Sequence, residues 1–107
     1  MITPPSLRPK PMYILITYDV STTDAAGRRR LRQVAKTCQD YGQRVQNSVF
    51  ECLVDPAQKV VLVEKLLRII DKTQDSLRIY HLGKDYKAHI ESYGRKTSYE
   101  AEGELII

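Results

Sequence analysis

Asp19 is the residue of this sequence whose surroundings most suggest chemistry. It lies at the end of an almost wholly apolar run, residues 13–20, and the turn-prone residues 21–24 follow. A run of this length, rich in β-branched and aromatic residues, predicts a buried strand that stops near Asp19. The carboxylate then has two interpretations. It either caps the turn through neighbouring amides or binds a metal ion.

The metal interpretation requires a second carboxylate, because one aspartate binds Mg²⁺ weakly, whereas two can fill an octahedron together with substrate phosphate and water. A strand alternates its faces, and both faces of residues 13–20 are mostly apolar. We expect helices to cover one face and a second copy of the chain to cover the other, which brings two Asp19 residues near a two-fold axis. The metal would activate water for attack on a phosphodiester, with Arg28, Arg30 and Arg44 neutralising phosphate charge.

Basic residues follow this strand closely. The chain of 107 residues has 17 Lys and Arg against 13 Asp and Glu, a net charge of +4 that favours an anionic partner such as nucleic acid. On a helical wheel, Arg29, Arg32 and Lys36 lie opposite the apolar side of the next element, and Arg28 and Arg30 flank that side. The patch is either a solvated helix face or a surface that contacts phosphates.

The first predicted helix begins at Asp24, an N-cap candidate, and apolar residues recur at spacings of three, four and three before Gly42 provides a stop. Residues 43–46 and 49–54 predict two strands joined as a hairpin by Asn47-Ser48.

A second helix begins at Asp55-Pro56 and ends near Asp71, and residues 77–82 form a fourth strand closed by Gly83. The order βαββαβ predicts an α+β, ferredoxin-like sandwich, in which a four-stranded antiparallel sheet carries both helices on one face.

The ends of the chain lie outside this pattern. Residues 1–11 hold four of the five prolines and predict a flexible extension, leaving residues 12–83 as the ferredoxin-like domain. Residues 84–107 form a C-terminal segment for dimerisation and partner docking, in which 84–95 is expected to be loop or irregular. Its apolar tip, Leu105-Ile106-Ile107, should dock as an edge strand on its own sheet or on a partner's.

Several classes of function are excluded by missing motifs. The sequence has no P-loop, no G-x-G-x-x-G, no C-x-x-C and no H-E-x-x-H, and His81 and His89 have no ligand-like cluster around them. Cys38 and Cys52 fall within predicted elements and no secretory signal is visible, so we expect core thiols in a reducing cytoplasm. The longest apolar run, about eight residues, is far below the roughly 20 needed to span a membrane, and no membrane partner is expected.

Three stretches together resemble a known family. Tyr18-Asp19-Val20 closes the first strand, Arg28 and Arg30 open the first helix, and Arg44-Val45-Gln46-Asn47-Ser48-Val49-Phe50-Glu51 forms the hairpin. This combination, within a chain of this size and element order, is similar to the small CRISPR-associated adaptation proteins, the second of the two core spacer-acquisition families, whose members are often described as endoribonucleases. The similarity covers residues 12–107.

The resemblance implies a ferredoxin-like homodimer in which the C-terminal strand joins the partner's sheet. It also implies that Asp19 of each subunit is the catalytic residue and binds Mg²⁺ or another divalent metal. The positions that support this site in the family are matched here by Tyr18, Arg28, Arg30, Arg44, Ser48 and Phe50.

The resemblance leaves two functions open. One is metal-dependent endonuclease cleavage of RNA or DNA during spacer acquisition. The alternative is a non-catalytic scaffold that holds duplex DNA and bridges dimers of a CRISPR integrase. In the scaffold, residues Arg28, Arg29, Arg32 and Lys36, together with the region 84–96, would contact the nucleic acid.

Overall fold

Seven regular elements make up the part of the chain that the computed structural model describes, residues 10–82 and 90–95. They are β1 (Met12–Asp19), α1 (Ala25–Gln39), β2 (Gly42–Gln46), β3 (Val49–Val54), α2 (Pro56–Ile69), β4 (Ser76–Leu82) and β5 (Ile90–Gly94). The predicted N-terminal extension up to residue 9, the stop at Gly83, His89 and the C-terminal tip lie outside the described residues.

The strands form one sheet in the order β2-β3-β1-β4-β5, with every neighbouring pair antiparallel. The first four strands and two helices confirm the α+β, ferredoxin-like fold. The fifth strand was not predicted, because residues 84–95 were expected to be loop or irregular. Residues 90–94 are too few for a periodic pattern, and they become a strand by pairing with the edge of β4, with Tyr93 opposite Leu77.

Both helices begin at the predicted aspartates. The Asp24 side chain accepts a hydrogen bond from the Gly27 amide, and Asp55 forms a capping box with Gln58. The predicted stop at Gly42 was wrong, because α1 ends at Gln39 and Gly42 is the first residue of β2. A Cβ at Gly42 would lie 2.2 Å from the Glu51 carbonyl oxygen, so glycine is needed there for the close approach of two strands.

The core lies between the helices and one face of the sheet. Ile14 and Ile16 of β1 and Phe50 of β3 are fully buried there in one cluster with residues of both helices. Cys38 and Cys52 belong to the same cluster as free thiols, as predicted, and burial raises their pKa values to about 12 and about 11. Neither described helix is long and apolar enough to cross a membrane.

The opposite face of the sheet, here called the open face, carries the alternate residues of each strand. On β1 these are Tyr13, Leu15, Thr17 and Asp19. Tyr13 is 51% exposed, and Leu53, directly across on β3, is 50% exposed. The sheet therefore has one face packed against helices and another that presents large apolar side chains to solvent.

Candidate functional site

Asp19 is the last residue of β1, and strand alternation places its side chain on the open face. The side chain is 68% exposed. Its Oδ2 atom accepts a hydrogen bond from Nη2 of Arg95 at 3.0 Å, which forms an exposed ion pair between the end of β1 and the end of β5. The carboxylate is accordingly accessible, and a cation already lies beside it.

Arg95 reaches Asp19 because β5 ends at the same edge of the sheet. Asp19 is paired with Ser76 on β4, and Ser76 is paired with Gly94 on β5. The sequence interpretation grouped Arg95 with the basic region 84–96 as a contact for nucleic acid. In the structure it is also the nearest charged partner of the candidate metal ligand.

Asp75, immediately before β4, is a buried carboxylate at this same edge. Its side chain has no exposed area. Arg30 of α1 donates from Nε to Oδ2 at 2.8 Å and from Nη2 to Oδ1 at 3.4 Å. The backbone amide of Ser21 donates to Oδ1 at 3.0 Å, and that of Asp71 to Oδ2 at 2.8 Å. Both oxygens of the buried carboxylate are thus hydrogen-bonded.

These hydrogen bonds keep Asp75 ionised. Burial raises the pKa of a carboxyl group, but the hydrogen bond from Arg30 and those from the Asp71 and Ser21 amides outweigh burial, so the pKa of Asp75 lies below its ordinary value. The hydrogen bond to Asp75 in turn raises the pKa of Arg30. The two side chains form a charge-assisted pair that joins α1 to the start of β4.

Two glycines allow the backbone to pack closely around this pair. A Cβ at Gly27 would lie 1.9 Å from the Ser21 carbonyl oxygen, and one at Gly94 would lie 2.2 Å from the Asp75 carbonyl oxygen. Gly94 also has a φ of 91°, which favours glycine. We call the group formed by Ser21, Arg30, Asp75 and these two glycines the Asp75 junction.

Three of the predicted supporting residues, Tyr18, Arg44 and Phe50, meet on the helix side of the sheet, and Ser48 contributes a backbone carbonyl. The Tyr18 and Phe50 rings stack with their centroids 6.2 Å apart, and the Arg44 guanidinium lies 5.2 Å from the Phe50 centroid. The Tyr18 amide donates to the Ser48 carbonyl at 3.1 Å, and burial raises the pKa of the Tyr18 hydroxyl. Because Tyr18 and Asp19 lie on opposite faces of β1, this cluster holds the strand in place from the side opposite the carboxylate.

The basic residues of α1 divide into two groups. Arg30 is turned toward Asp75, whereas the others are exposed on the outside of the helix. Arg28 donates from Nη1 to the Thr22 carbonyl at 3.4 Å. The exposed group is Arg28, Arg29, Arg32 and Lys36.

Sequence reasoning did not identify Asp75, although one signal was present. An aspartate lies two residues before the predicted fourth strand, residues 77–82, and Asp19 ends the first predicted strand. In a ferredoxin-like sheet these two strands are antiparallel neighbours, so the end of one and the start of the other share an edge. Asp75 could therefore have been placed near Asp19, but its burial against Arg30 depends on side-chain packing.

The described residues near Asp19 offer a type of ligand that suits a hard divalent cation, but too few such ligands to hold one. A carboxylate oxygen is a ligand that Mg²⁺ prefers. Within residues 10–82 and 90–95, however, no three His, Cys, Asp or Glu side chains are grouped closely enough to hold a metal ion. Among these described residues a site at Asp19 would have that one carboxylate, so the sequence-based expectation of a metal site there depends on a second copy of the chain.

Comparison with known proteins identifies the relatives of this chain. The sequence profile of the family described as CRISPR associated protein Cas2 matches residues 12–90. A CRISPR-associated endoribonuclease Cas2 of Nitratidesulfovibrio vulgaris is 55% identical, over 90% of this chain and 94% of its own length. A CRISPR-associated endonuclease Cas2 of Halalkalibacterium halodurans is 56% identical, over 90% and 100%. A crystal structure of Streptococcus pyogenes Cas2 at pH 6.5 superimposes with a TM-score of 0.65 at 57% identity, covering 75% of this chain and 96% of that one.

The lowered pKa of Asp75 predicts that the free energy of unfolding decreases at acid pH. Because the folded-state pKa of Asp75 is lowered, its ionised form stabilises the fold above the unfolded-state pKa of about 3.9, and this contribution is lost as the pH falls through the folded-state pKa. Asp75→Asn should therefore lower the urea midpoint strongly at neutral pH and progressively less below about pH 4. If the urea midpoints of wild type and Asp75→Asn differ by the same amount at neutral and acid pH, the ionised Asp75 carboxylate is not the source of the lost stability.

Proposed function

The chain belongs to the CRISPR associated protein Cas2 family, and we propose that it acts in CRISPR spacer acquisition as a homodimer with a metal-dependent endonuclease site between its subunits. The observation that carries this proposal is the position of Asp19, an accessible carboxylate at the end of a central strand, on the face of the sheet that the helices leave open. The same face supplies the reason for dimerisation.

The open face exposes several large apolar side chains among polar ones such as Gln43 and Glu51. Tyr13 and Leu53 are about half exposed, and Ile90 of β5, on the same face, is 37% exposed. Large apolar side chains grouped on one face of a small sheet favour association, because a partner removes them from water. A second copy of the chain related by a two-fold axis would present the same residues in return.

The two-fold arrangement also completes the proposed ligand set. Two Asp19 carboxylates near the axis would hold Mg²⁺ or another divalent cation, with water and substrate phosphate as further ligands. When bound, the cation would polarise the phosphoryl oxygen and lower the pKa of a bound water. Arg95 lies 3.0 Å from Asp19 and is 47% exposed, so it can release the carboxylate and pair with a substrate phosphate instead.

The relatives' names support cleavage of nucleic acid but differ in how they describe it. The Nitratidesulfovibrio vulgaris protein is an endoribonuclease and the Halalkalibacterium halodurans protein an endonuclease. The chemistry proposed here acts on the phosphodiester group, which RNA and DNA share. We therefore propose a phosphodiesterase that acts on RNA or DNA.

A second function, the non-catalytic scaffold, is favoured by the exposed basic side of α1. Arg28, Arg29, Arg32 and Lys36 are exposed there, whereas Arg30 is held by Asp75. Such a row suits contact with a phosphate backbone. In this function the dimer holds duplex DNA and bridges integrase dimers, and the Asp19–Arg95 ion pair remains closed.

Asp19→Asn should abolish Mg²⁺-dependent cleavage of RNA or DNA while leaving the dimer intact, because the amide keeps the shape of the side chain but removes its charge. Cleavage assays with and without EDTA, together with sedimentation of the same preparation, test this. Full cleavage by the purified variant would rule out the endonuclease proposal and leave the scaffold.

Leu53→Glu should convert the dimer to a monomer, because it places a charge in the centre of the proposed apolar interface. The matched control is Val60→Glu on α2, a position that is 57% exposed and faces away from the open face. Sedimentation equilibrium at equal concentrations distinguishes the two. If Leu53→Glu stays dimeric, the open face is not the interface.

Changing Arg28, Arg29 and Arg32 to Glu should weaken duplex binding and lower the slope of log K against log salt by up to about three, roughly one for each lost phosphate contact. The matched control makes the same change in net charge on α2 and the loop after it, by replacing Lys65, Arg68 and Lys72 with Glu. Equal losses in both variants would show that net charge, and not the surface of α1, accounts for binding.

A further inference from the structure

We propose that Asp75 is a positioning residue for Asp19, and that Arg30 acts by holding Asp75 rather than by touching substrate. The inference rests on the proposed function, because it takes Asp19 as the metal-binding carboxylate. It goes beyond that function by assigning a role to a residue outside the metal ligands and by changing the role expected of Arg30.

The first link from Asp75 to Asp19 runs through the backbone after β1. The Asp75 carboxylate accepts the amide of Ser21 at 3.0 Å, and Ser21 follows Asp19 by two residues. Val20, between them, is buried in the core. Asp19 is therefore fixed on its C-terminal side by a partly buried hydrogen bond as well as by the sheet on its N-terminal side.

The second link runs through β5. The backbone carbonyl of Asp75 accepts the amide of Arg95 at 2.7 Å, and the Arg95 side chain is the ion-pair partner of Asp19. Gly94 makes this approach possible, since any side chain there would meet the Asp75 carbonyl. One residue thus fixes both the backbone that carries Asp19 and the backbone that carries its counter-charge.

Arg30 gives the buried carboxylate its counter-charge. Its guanidinium contacts both oxygens of Asp75, and its side chain is 14% exposed. A buried carboxylate without such a partner is strongly unfavourable. Replacing Arg30 should therefore disturb the site through Asp75, in contrast to replacing the exposed Arg28 or Arg29.

A core residue far from Asp19 provides a control that distinguishes a positioning effect from a general loss of stability. The Asp75 junction lies where β1 ends, and the register of β1 with β3 places Val54 opposite Met12 at the other end of β1. Val54 is almost fully buried. Val54→Ala is therefore a control that lowers stability through a core cavity far from Asp19.

The experiment compares wild type, Asp75→Asn, Arg30→Lys and Val54→Ala, each as the full chain and well below its unfolding temperature. Mn²⁺ affinity is measured by electron paramagnetic resonance. Amide exchange at Ser21 and the carboxyl ¹³C shift of Asp19 are measured by NMR. We expect Asp75→Asn to weaken Mn²⁺ binding about 10-fold or more, as with other residues that support metal ligands, and to accelerate exchange at Ser21. Val54→Ala should do neither.

Arg30→Lys keeps the positive charge beside Asp75 but loses the planar guanidinium that contacts both carboxylate oxygens. It should therefore weaken Mn²⁺ binding and accelerate Ser21 exchange less than Asp75→Asn does. It also keeps the test decisive if Asp75→Asn does not fold. Unchanged Mn²⁺ affinity, Ser21 exchange and Asp19 shift in the folded variants, or equal effects in Val54→Ala, would overturn the proposal. If wild type itself does not bind Mn²⁺, the proposed metal site fails, and the exchange and shift measurements alone then decide whether Asp75 positions Asp19.

Discussion

The ion pair between Arg30 and Asp75 is the interaction on which the edge of the sheet beside Asp19 depends. The buried carboxylate of Asp75 joins α1, the turn after β1 and the loop before β4. The backbone carbonyl of the same residue accepts a hydrogen bond from the Arg95 amide at the end of β5. A buried carboxylate is stable only if its hydrogen bonds are complete, so these segments must keep their relative positions. The exposed Asp19 lies at this edge, and the proposed positioning role of Asp75 follows from these contacts.

The unequal covering of the sheet is the second constraint. Two helices can cover one face of a small sheet, and here they bury Ile14, Ile16 and Phe50. The opposite face keeps Tyr13, Leu53 and Ile90 partly in solvent, and it also carries Asp19. Under the proposed function the same face provides both the contact between subunits and the catalytic carboxylates. Metal binding would then be coupled to dimerisation, because the residues of one chain that the structure describes include no group of three metal-ligating side chains.

Local signals in the sequence were sufficient for most of the fold. The caps at Asp24 and Asp55 and the hairpin at Asn47-Ser48 are determined by neighbouring residues, and the structure has them where they were expected. The errors involve contacts distant in sequence. Gly42 resembles a helix stop but is required by the approach of β3.

The candidate site also contains some features that local sequence signals identify and others that only contacts distant in sequence determine. Asp19 could be identified because a carboxylate at the end of an apolar run is unusual. The role of Arg30 could not, because the helical wheel places it among several arginines, and only packing against Asp75 distinguishes it from them. β5 and the ion pair between Arg95 and Asp19 were missed for a related reason, since a short edge strand is defined by the strand beside it.

The stoichiometry of metal binding tests the central claim most directly. Native mass spectrometry or a Mn²⁺ titration of the wild-type dimer should find one tightly bound ion for every two chains, and none with Asp19→Asn. One ion per chain, or binding that persists without the Asp19 carboxylate, would contradict a site shared across the two-fold axis.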